Sequence, residues 1–448
     1  MTRDTLADVL EEYALLLELK AENPFKVREF PLGEVTPLAA EILDLLRLHP
    51  EISQVAIGGS LRRAMETVHN LDFLVATKEP ALVCEDFTTL PQVAAVIACG
   101  ETKAAVRLTS GIQCDLRAVS NAQFPFALQY FTGSKEHNIA LRALALQQGL
   151  SLNEYGLTAT AGHADIHDER ALYQALGLEF IPPELRENLG ELAAAADRQL
   201  PRLLELSHLR GTFHNHTTAS DGTNTLEEMA DEAMDLGLQY LGIADHSKSL
   251  AIANGLDETR LLEQILSIRR LNSGYSHFRL FAGSEVDILK DGSLDFDDST
   301  LAQLDYCVAS VHQHFNLSED DMTRRICRAM ENEHVTMLGH LTGRLLNRRA
   351  GYAVNHAKVI DCAAATRTLI ELNCNPWRLD MDWRWWRRAR DLGVLCAINP
   401  DAHSTAGLHH LGLGVRLARK GWLRRQDVLN TRALAEVAAF FQTPKAER

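Results

Sequence analysis

From about residue 209 onward, short apolar runs alternate with longer amphipathic stretches. The runs cover residues 209–216, 239–246, 278–285, 304–312, 335–340, 368–373 and 394–403. Between them, segments such as TLEEMADEAMDLGL and MTRRICRAMENE repeat apolar residues at helical spacing. Strands that alternate with helices predict parallel pairing through crossover helices. Seven units without a clear break predict an α/β fold closed, or nearly closed, into a barrel. An open doubly wound sheet is the structural alternative.

Six of the seven runs end in residues of one chemical type. The endings are His214-Asn215-His216, Asp245-His246, Glu285, His312, His340 and Asp401-Ala402-His403. In α/β barrels the C-terminal ends of the strands form the active-site face. Residues i and i+2 of a strand point to the same side. His214 with His216, and Asp401 with His403, can therefore each present two side chains to one pocket. Imidazole and carboxylate together suit Zn, Mn or Fe. A lone histidine carries little weight, and His208, His277, His314, His334, His356, His409 and His410 lack this placement. It is recurrence at successive strand ends that points to a metal site.

Composition narrows the class. The chain has 448 residues, 46% hydrophobic and 23% charged, which predicts two or three globular domains. No apolar run approaches the length of a membrane span. The acidic, amphipathic N-terminus does not read as a signal peptide. Eight cysteines without CxxC pairing predict reduced thiols and a cytoplasmic protein. A net charge of -15 argues against a general nucleic-acid coat, though not against a local basic groove. Oligomeric state has no signature here.

The motifs FHNHTTASDG, IADHS, AGSEVDI, ASVH, LGH and NPDAHS, in this order over about residues 205–448, resemble the polymerase-and-histidinol-phosphatase (PHP) superfamily. The resemblance implies a distorted seven-stranded barrel with two or three divalent ions. His214, His216, Glu285 and Asp401 would hold one ion and form the catalytic core. Glu285, His312 and His340 would hold a second, and Asp221, His246 and His403 a third. Lys248 and Arg344 would be cationic helpers for a substrate phosphate. The chemistry implied is metal-assisted phosphoester hydrolysis.

The N-terminal half resembles a bacterial family X DNA polymerase core. IGGSLRRAMETVHNLDFLVAT resembles the nucleotidyltransferase signature, a Gly-Ser turn followed by a strand with two acids. GIQCDLR would add a third acid, and LQYFTGSKEHNIALR resembles the segment that contacts an incoming nucleotide. By this resemblance Gly59, Ser60 and Arg63 would hold phosphates, Asp72 and Asp115 would bind Mg, and Tyr130, Phe131, Gly133 and Asn138 would line the sugar and base.

Two departures stand out. Asn70 occupies the position of one of the three acids, so Mg binding in this palm is expected to be weak. Residues 1–30 resemble only the opening of the family's DNA-binding region, and the sequence then passes directly to the palm. The expected organisation is a remnant helical segment at 1–30, a degenerate palm at 31–195, and a PHP barrel at 205–448. RENLGELAAAADRQLPRLLELSHL reads as a helical linker between the two. The tryptophans of residues 382–388 are expected to pack on the barrel with their arginines in water.

The function implied is a 3′-to-5′ exonuclease or 3′-end-processing nuclease of DNA repair, with polymerase activity impaired or lost. The alternatives are an active polymerase/exonuclease, a small-molecule phosphatase resembling histidinol phosphatase, and a non-catalytic DNA-binding module. DNA or a small phosphate ester would be the partner, with no membrane.

Overall fold

The computed structural model describes residues 29–158 and 166–448. Most of the expected N-terminal remnant lies outside these residues.

The first sheet has five strands: β2 (Ile52–Ile57), β4 (Asn70–Thr77), β5 (Val93–Cys99), β6 (Lys103–Leu108) and β7 (Gln113–Val119), in the order β2-β4-β7-β6-β5. A two-residue ribbon, β1 (Phe30–Pro31) with β3 (Thr67–Val68), borders it. Strand β7 alternates strictly, burying Cys114, Leu116 and Ala118 and leaving Asp115 on the opposite face. The buried face is covered by the helix Leu32–Leu48, whose Leu32, Val35, Ala39, Ile42 and Leu46 recur at helical spacing. Strands β4 and β7 pair in parallel, which sets Asn70 opposite Gln113 and Asp72 opposite Asp115.

A helical segment follows, with the helices Phe124–Thr132, Lys135–Gln147 and Glu169–Ala175 and the hairpin of β8 (Ser151–Asn153) and β9 (Gly156–Thr158). Its separate core contains Leu141, Leu172, Tyr173 and Ile181. The expected helical linker forms only in part. It is helical over Glu191–Ala196 and turns briefly over Leu206–His208. Pro201 cannot donate to a helix, and Leu203 and Leu204 gain burial instead. The backbone N–H of Leu204 donates to Leu423 O at 3.1 Å, so the segment is fastened to the barrel.

The second sheet is the expected barrel. It runs β10 (Gly211–Thr212), β11 (Tyr240–Ile243), β12 (Arg279–Asp287), β13 (Tyr306–Ser310), β14 (Val335–Leu338), β15 (Leu369–Asn373) and β16 (Cys396–Asn399), parallel and in sequence order. The first and last strands nearly close it: His216 N donates to Ala402 O at 2.8 Å, just beyond both strand ends. The interior is filled by Phe213, Tyr240, Phe281, Tyr306, Val308 and Met337. Tyr306 fits only because Gly283 faces it, where any Cβ would strike its ring. Phe441, from the helix Leu434–Gln442, stacks on Tyr306 with ring centroids 5.2 Å apart. The tryptophan stretch forms the helix Trp383–Asp391 with Trp383 and Trp386 buried, as expected. Among the described residues no helix is long and apolar enough to cross a membrane.

The two sheets are docked by side chains of the barrel half. Arg416 donates to the carbonyl of Leu61. The fully buried Lys420 donates to Arg63 O at 3.0 Å and pairs with Glu187 at 2.6 Å.

Candidate metal centre and palm site

All nine residues expected as metal ligands converge around Glu285. Its Oε2 lies 3.2 Å from His214 Nε2, 3.7 Å from His216 Nε2 and 2.9 Å from His246 Nδ1. Its Oε1 lies 3.2 Å from His312 Nε2 and 2.8 Å from His340 Nε2. Asp401 Oδ1 stands 3.2 Å from His216 Nε2 and 3.7 Å from His214 Nε2. Asp221 Oδ1 lies 3.4 Å from His403 Nε2, 3.6 Å from His246 Nε2 and 3.9 Å from His216 Nδ1. His246 therefore faces Glu285 with one nitrogen and Asp221 with the other. The rings of His216 and His403 stack 4.2 Å apart.

The donor set fits divalent ions. Donors about 2.0–2.2 Å from one ion stand roughly 3.0–3.6 Å apart, which matches most of these separations. His214 Nε2, both ring nitrogens of His216, His246 Nδ1, His312 Nε2 and Glu285 Oε2 are buried without a hydrogen-bond partner among the described residues. Such orphaned polar atoms are rare in folded proteins and ask for a partner. Three groupings have all their donor atoms close enough for one ion: His214–His216–Glu285, His246–Glu285–His312 and His216–Asp221–His246–His403. The third is the most open, with Asp221 and His403 about one-third exposed.

The backbone explains part of this convergence. His214 and Asp401 both lie past the ends of their strands, and Asp401 adopts a left-handed φ of 51°. Aspartate tolerates that region better than most side chains. Burial disfavours charge on His214, but Glu371, Glu285 and Asp401 outweigh it and hold its pKa well above the ordinary value. Burial and the neighbouring His403 and His246 push His216 down to about 3, which keeps it in the neutral, ligating form.

Several residues of the centre escape a reading of strand ends. Glu371 is fully buried in β15 and meets His214 Nδ1 at 2.6 Å, the backbone N–H of His340 at 2.7 Å and Asn399 Nδ2 at 2.9 Å. Asp287 meets His312 Nδ1 at 2.5 Å. Both carboxylates fix the ring whose other nitrogen faces Glu285. Asp287 was visible as the i+2 neighbour of Glu285 in AGSEVDI, and Glu371 as the one acid inside LIELN. Asp245 turns away from the cluster and accepts from Thr217 N at 2.8 Å and Thr217 Oγ1 at 2.7 Å, which ties down the loop carrying Asp221.

Neither expected phosphate-binding cation is free. Lys248 pairs with Glu258 at the surface. Arg344 donates to Glu66 of the first domain at 2.9 Å, to Arg378 O at 2.8 Å and to Leu379 O. Its guanidinium thus serves the contact between the two halves. Instead, Arg378 reaches the cluster, with Nε donating to Asp401 Oδ2 at 3.0 Å.

The palm residues are assembled but largely occupied. The Asn70 amide donates to Asp72 Oδ1 at 2.8 Å and to Asp115 Oδ2 at 2.9 Å. Gln113 Nε2 also lies 3.1 Å from both oxygens of Asp115. Two amides thus stand where the resemblance places cations. Burial, then the adjacent Asp115, raises the Asp72 pKa to about 6. Gly59, at φ 61°, passes so close to Asp72 that a Cβ would collide with its carboxylate. Ser60 lies in the short helix Gly59–Arg62 that follows.

Two of the other expected nucleotide contacts, Arg63 and Asn138, are engaged within the protein. Arg63 pairs with Glu187 at 3.0 Å and donates to Thr132 O at 2.6 Å, so it is not available to a triphosphate. The Asn138 amide is also spent, accepting from Gln129 at 2.8 Å and donating to Tyr130 O at 2.7 Å. Tyr130 and Phe131 meet edge to face at 5.2 Å, and Gly133 leaves room for the Arg63 guanidinium.

A nearly closed seven-stranded parallel barrel with this histidine–carboxylate centre defines the PHP class of metal-dependent phosphoesterases, here joined to a polymerase-type core. The family model described as the PHP domain matches residues 212–374, and that of the DNA polymerase beta thumb matches residues 127–187. The DNA polymerase/3'-5' exonuclease PolX of Bacillus subtilis (strain 168) is 41% identical over 431 residues, covering 95% of this chain and 75% of that protein. The chain belongs to the bacterial family X polymerases that carry a PHP domain. Its barrel half is also similar to smaller proteins named probable phosphatase. The one from Caldicellulosiruptor saccharolyticus is 30% identical over 42% of this chain and 78% of its own length. One from Thermoanaerobacter sp. (strain X514) is 25% identical over 49% of this chain and 89% of its own length.

Proposed function

We propose that the barrel is a 3′-to-5′ exonuclease or 3′-end-processing nuclease acting on DNA, and that the polymerase activity of the palm is impaired or lost. The observation that carries the first part is the gathering of eight ligand-type side chains about Glu285, with His214 Nε2, both nitrogens of His216, His246 Nδ1 and His312 Nε2 unpartnered among the described residues. His214, His216, Glu285 and Asp401 would hold one ion, Glu285, His312 and His340 a second, and Asp221, His246 and His403 a third, with Zn, Mn or Fe the suitable metals. When bound, such ions supply a nucleophilic hydroxide near neutral pH and neutralise charge on the phosphoryl group. The chain's own part is orientation. Glu371 and Asp287 hold the rings of His214 and His312 in one tautomer, and Asp245 holds the loop of Asp221. The second part rests on Asn70, whose amide satisfies the two acids that would otherwise gather Mg.

The test is hydrolysis by Mn- or Zn-reconstituted protein of 5′-labelled single-stranded DNA and of histidinol phosphate, side by side. Stepwise shortening of the DNA, lost in well-folded His214→Ala and Asp401→Ala variants, is expected. Turnover of histidinol phosphate alone would move the assignment to a small-molecule phosphatase. Undiminished DNA hydrolysis by either variant would place the site elsewhere.

A further inference from the structure

Neither cation expected to meet a substrate phosphate is free to do so, yet one guanidinium does enter the centre. Arg378 follows β15 in the loop Asn375–Pro376–Trp377–Arg378. Its Nε donates to Asp401 Oδ2, the oxygen also bonded by Asn373 at 3.1 Å. Asp401 Oδ1 is left facing His214 and His216. Arg378 Nη1 is buried and has no hydrogen-bond partner among the described residues. The side chain is only 17% exposed. It is anchored from behind, because its carbonyl accepts from Arg344 and its N–H donates to Asn375 O at 2.8 Å.

A buried guanidinium N–H without an acceptor is unfavourable unless something arrives to accept it. A metal cannot, since an arginine has no lone pair to offer. Beside a centre of this class, the acceptor that best suits a cationic donor is an anionic phosphate oxygen. Outward from Arg378 the rim continues in cations and rings: Arg348 lies 3.7 Å over the ring of Trp377, and Arg349 lies 4.6 Å over Phe315. Such a rim suits a nucleotide strand.

We infer that Arg378 is the substrate-phosphate ligand of this centre, with one edge of its guanidinium fixing Asp401 and the other donating to a phosphate oxygen of the ester being cleaved. This rests on the reading of the barrel as a phosphoesterase, and it names the residue that recognises the anion. The fork geometry of arginine allows both contacts at once, which a lysine cannot reproduce.

The test measures binding of inorganic phosphate to the full-length, Mn-loaded protein by isothermal titration calorimetry, for wild type, Arg378→Gln and Arg378→Lys. Bound Mn per chain is determined on the same samples. The expected result is equal Mn in all three, phosphate binding at least about tenfold weaker in Arg378→Gln, and partial recovery in Arg378→Lys. Phosphate binding by Arg378→Gln equal to wild type would overturn the inference. So would a loss of Mn that fully explains the weaker binding, because Arg378 would then only position Asp401. Absence of phosphate binding by Mn-loaded wild type would overturn it as well. DNA hydrolysis assayed in parallel reads the nuclease assignment separately: a wild type that binds phosphate through Arg378 but cleaves no DNA counts against that assignment and not against Arg378.

Discussion

At Asn70 one amide replaces one carboxylate, and the consequence is local and electrostatic. Two acids on neighbouring strands repel, and a cation or a pair of N–H donors relieves the repulsion. The amide supplies the donors internally. Asn70→Asp removes both hydrogen bonds and adds a third charge. In chelator this variant is expected to be less stable than wild type by about 1–3 kcal/mol. Millimolar Mg should close the gap, as thermal denaturation with and without Mg would show. A variant as stable as wild type in chelator would mean the amide bridge contributes nothing. Wild-type protein is expected to extend a primed template negligibly, and robust template-directed synthesis in a primer-extension assay would contradict the palm assignment. In the barrel, Glu371→Gln leaves His214 without its charged partner. Metal affinity, measured by competition with a chromogenic chelator, should fall about 10–100-fold.

Elements differ in how openly their sequence declares them. Strand β7 is legible because Cys114, Leu116 and Ala118 alternate with polar residues. The barrel strands are legible as short apolar runs, almost wholly buried; six of the seven predicted runs contain their strand, and β12 continues two residues past the end of its run. The linker is legible only in part: its alanine-rich stretch forms the helix Glu191–Ala196, but Pro201 cannot continue a helix and Leu203 and Leu204 gain burial instead. The helix Glu169–Ala175 hides a further feature. Glu169 meets Arg186 at 2.6 Å and Arg62 at 2.6 Å. Burial pushes its pKa up, but Arg186 and Arg62 outweigh burial and hold it at about 2. A pKa depressed on folding contributes stability that is present above the ordinary value of 4.5 and lost as pH falls from there toward 2. Glu169→Gln leaves Arg186 buried without a counter-charge and should cost about 3–5 kcal/mol at pH 7. In urea titrations the gap from wild type should narrow between pH 4.5 and 2. A gap constant with pH would show that the ion pair is not its source.

At the scale of the whole molecule, the two halves share an ion-paired boundary that changes the roles of residues on both sides. Arg344 leaves the substrate and joins Glu66, and Lys420 leaves solvent and joins Glu187 and the Arg63 carbonyl. Glu66→Ala is therefore expected to lower the thermal midpoint, while the KM of DNA hydrolysis stays within about twofold of wild type. A large rise in KM would return Arg344 to the substrate site. Metal removal should act on the entire fold. An ion that binds only the native state stabilises it by about 2.7 kcal/mol at a hundred times its dissociation constant. Exhaustive chelation is expected to lower the melting temperature in calorimetry, with recovery on adding Mn or Zn. An unchanged melting temperature would show that the centre holds no ion under those conditions.

What the sequence determined by itself is whatever depends on local order: the alternation of strands and helices, and the nine ligand-type residues, eight of them at the ends of apolar runs. Each repeats along the chain, and repetition can be read without coordinates. What only the tertiary structure decided is which charges meet. Glu371 and Arg378 belong to the centre because β15 lies between β14 and β16 and brings them to His214 and Asp401. Arg63, Asn138 and Arg344 carry the right chemistry for phosphate or base, but each is claimed by a partner between 8 and 278 positions away along the chain. Hydrogen bonds and ion pairs act over a few ångströms in space, so the chain must fold before a cation's partner is fixed.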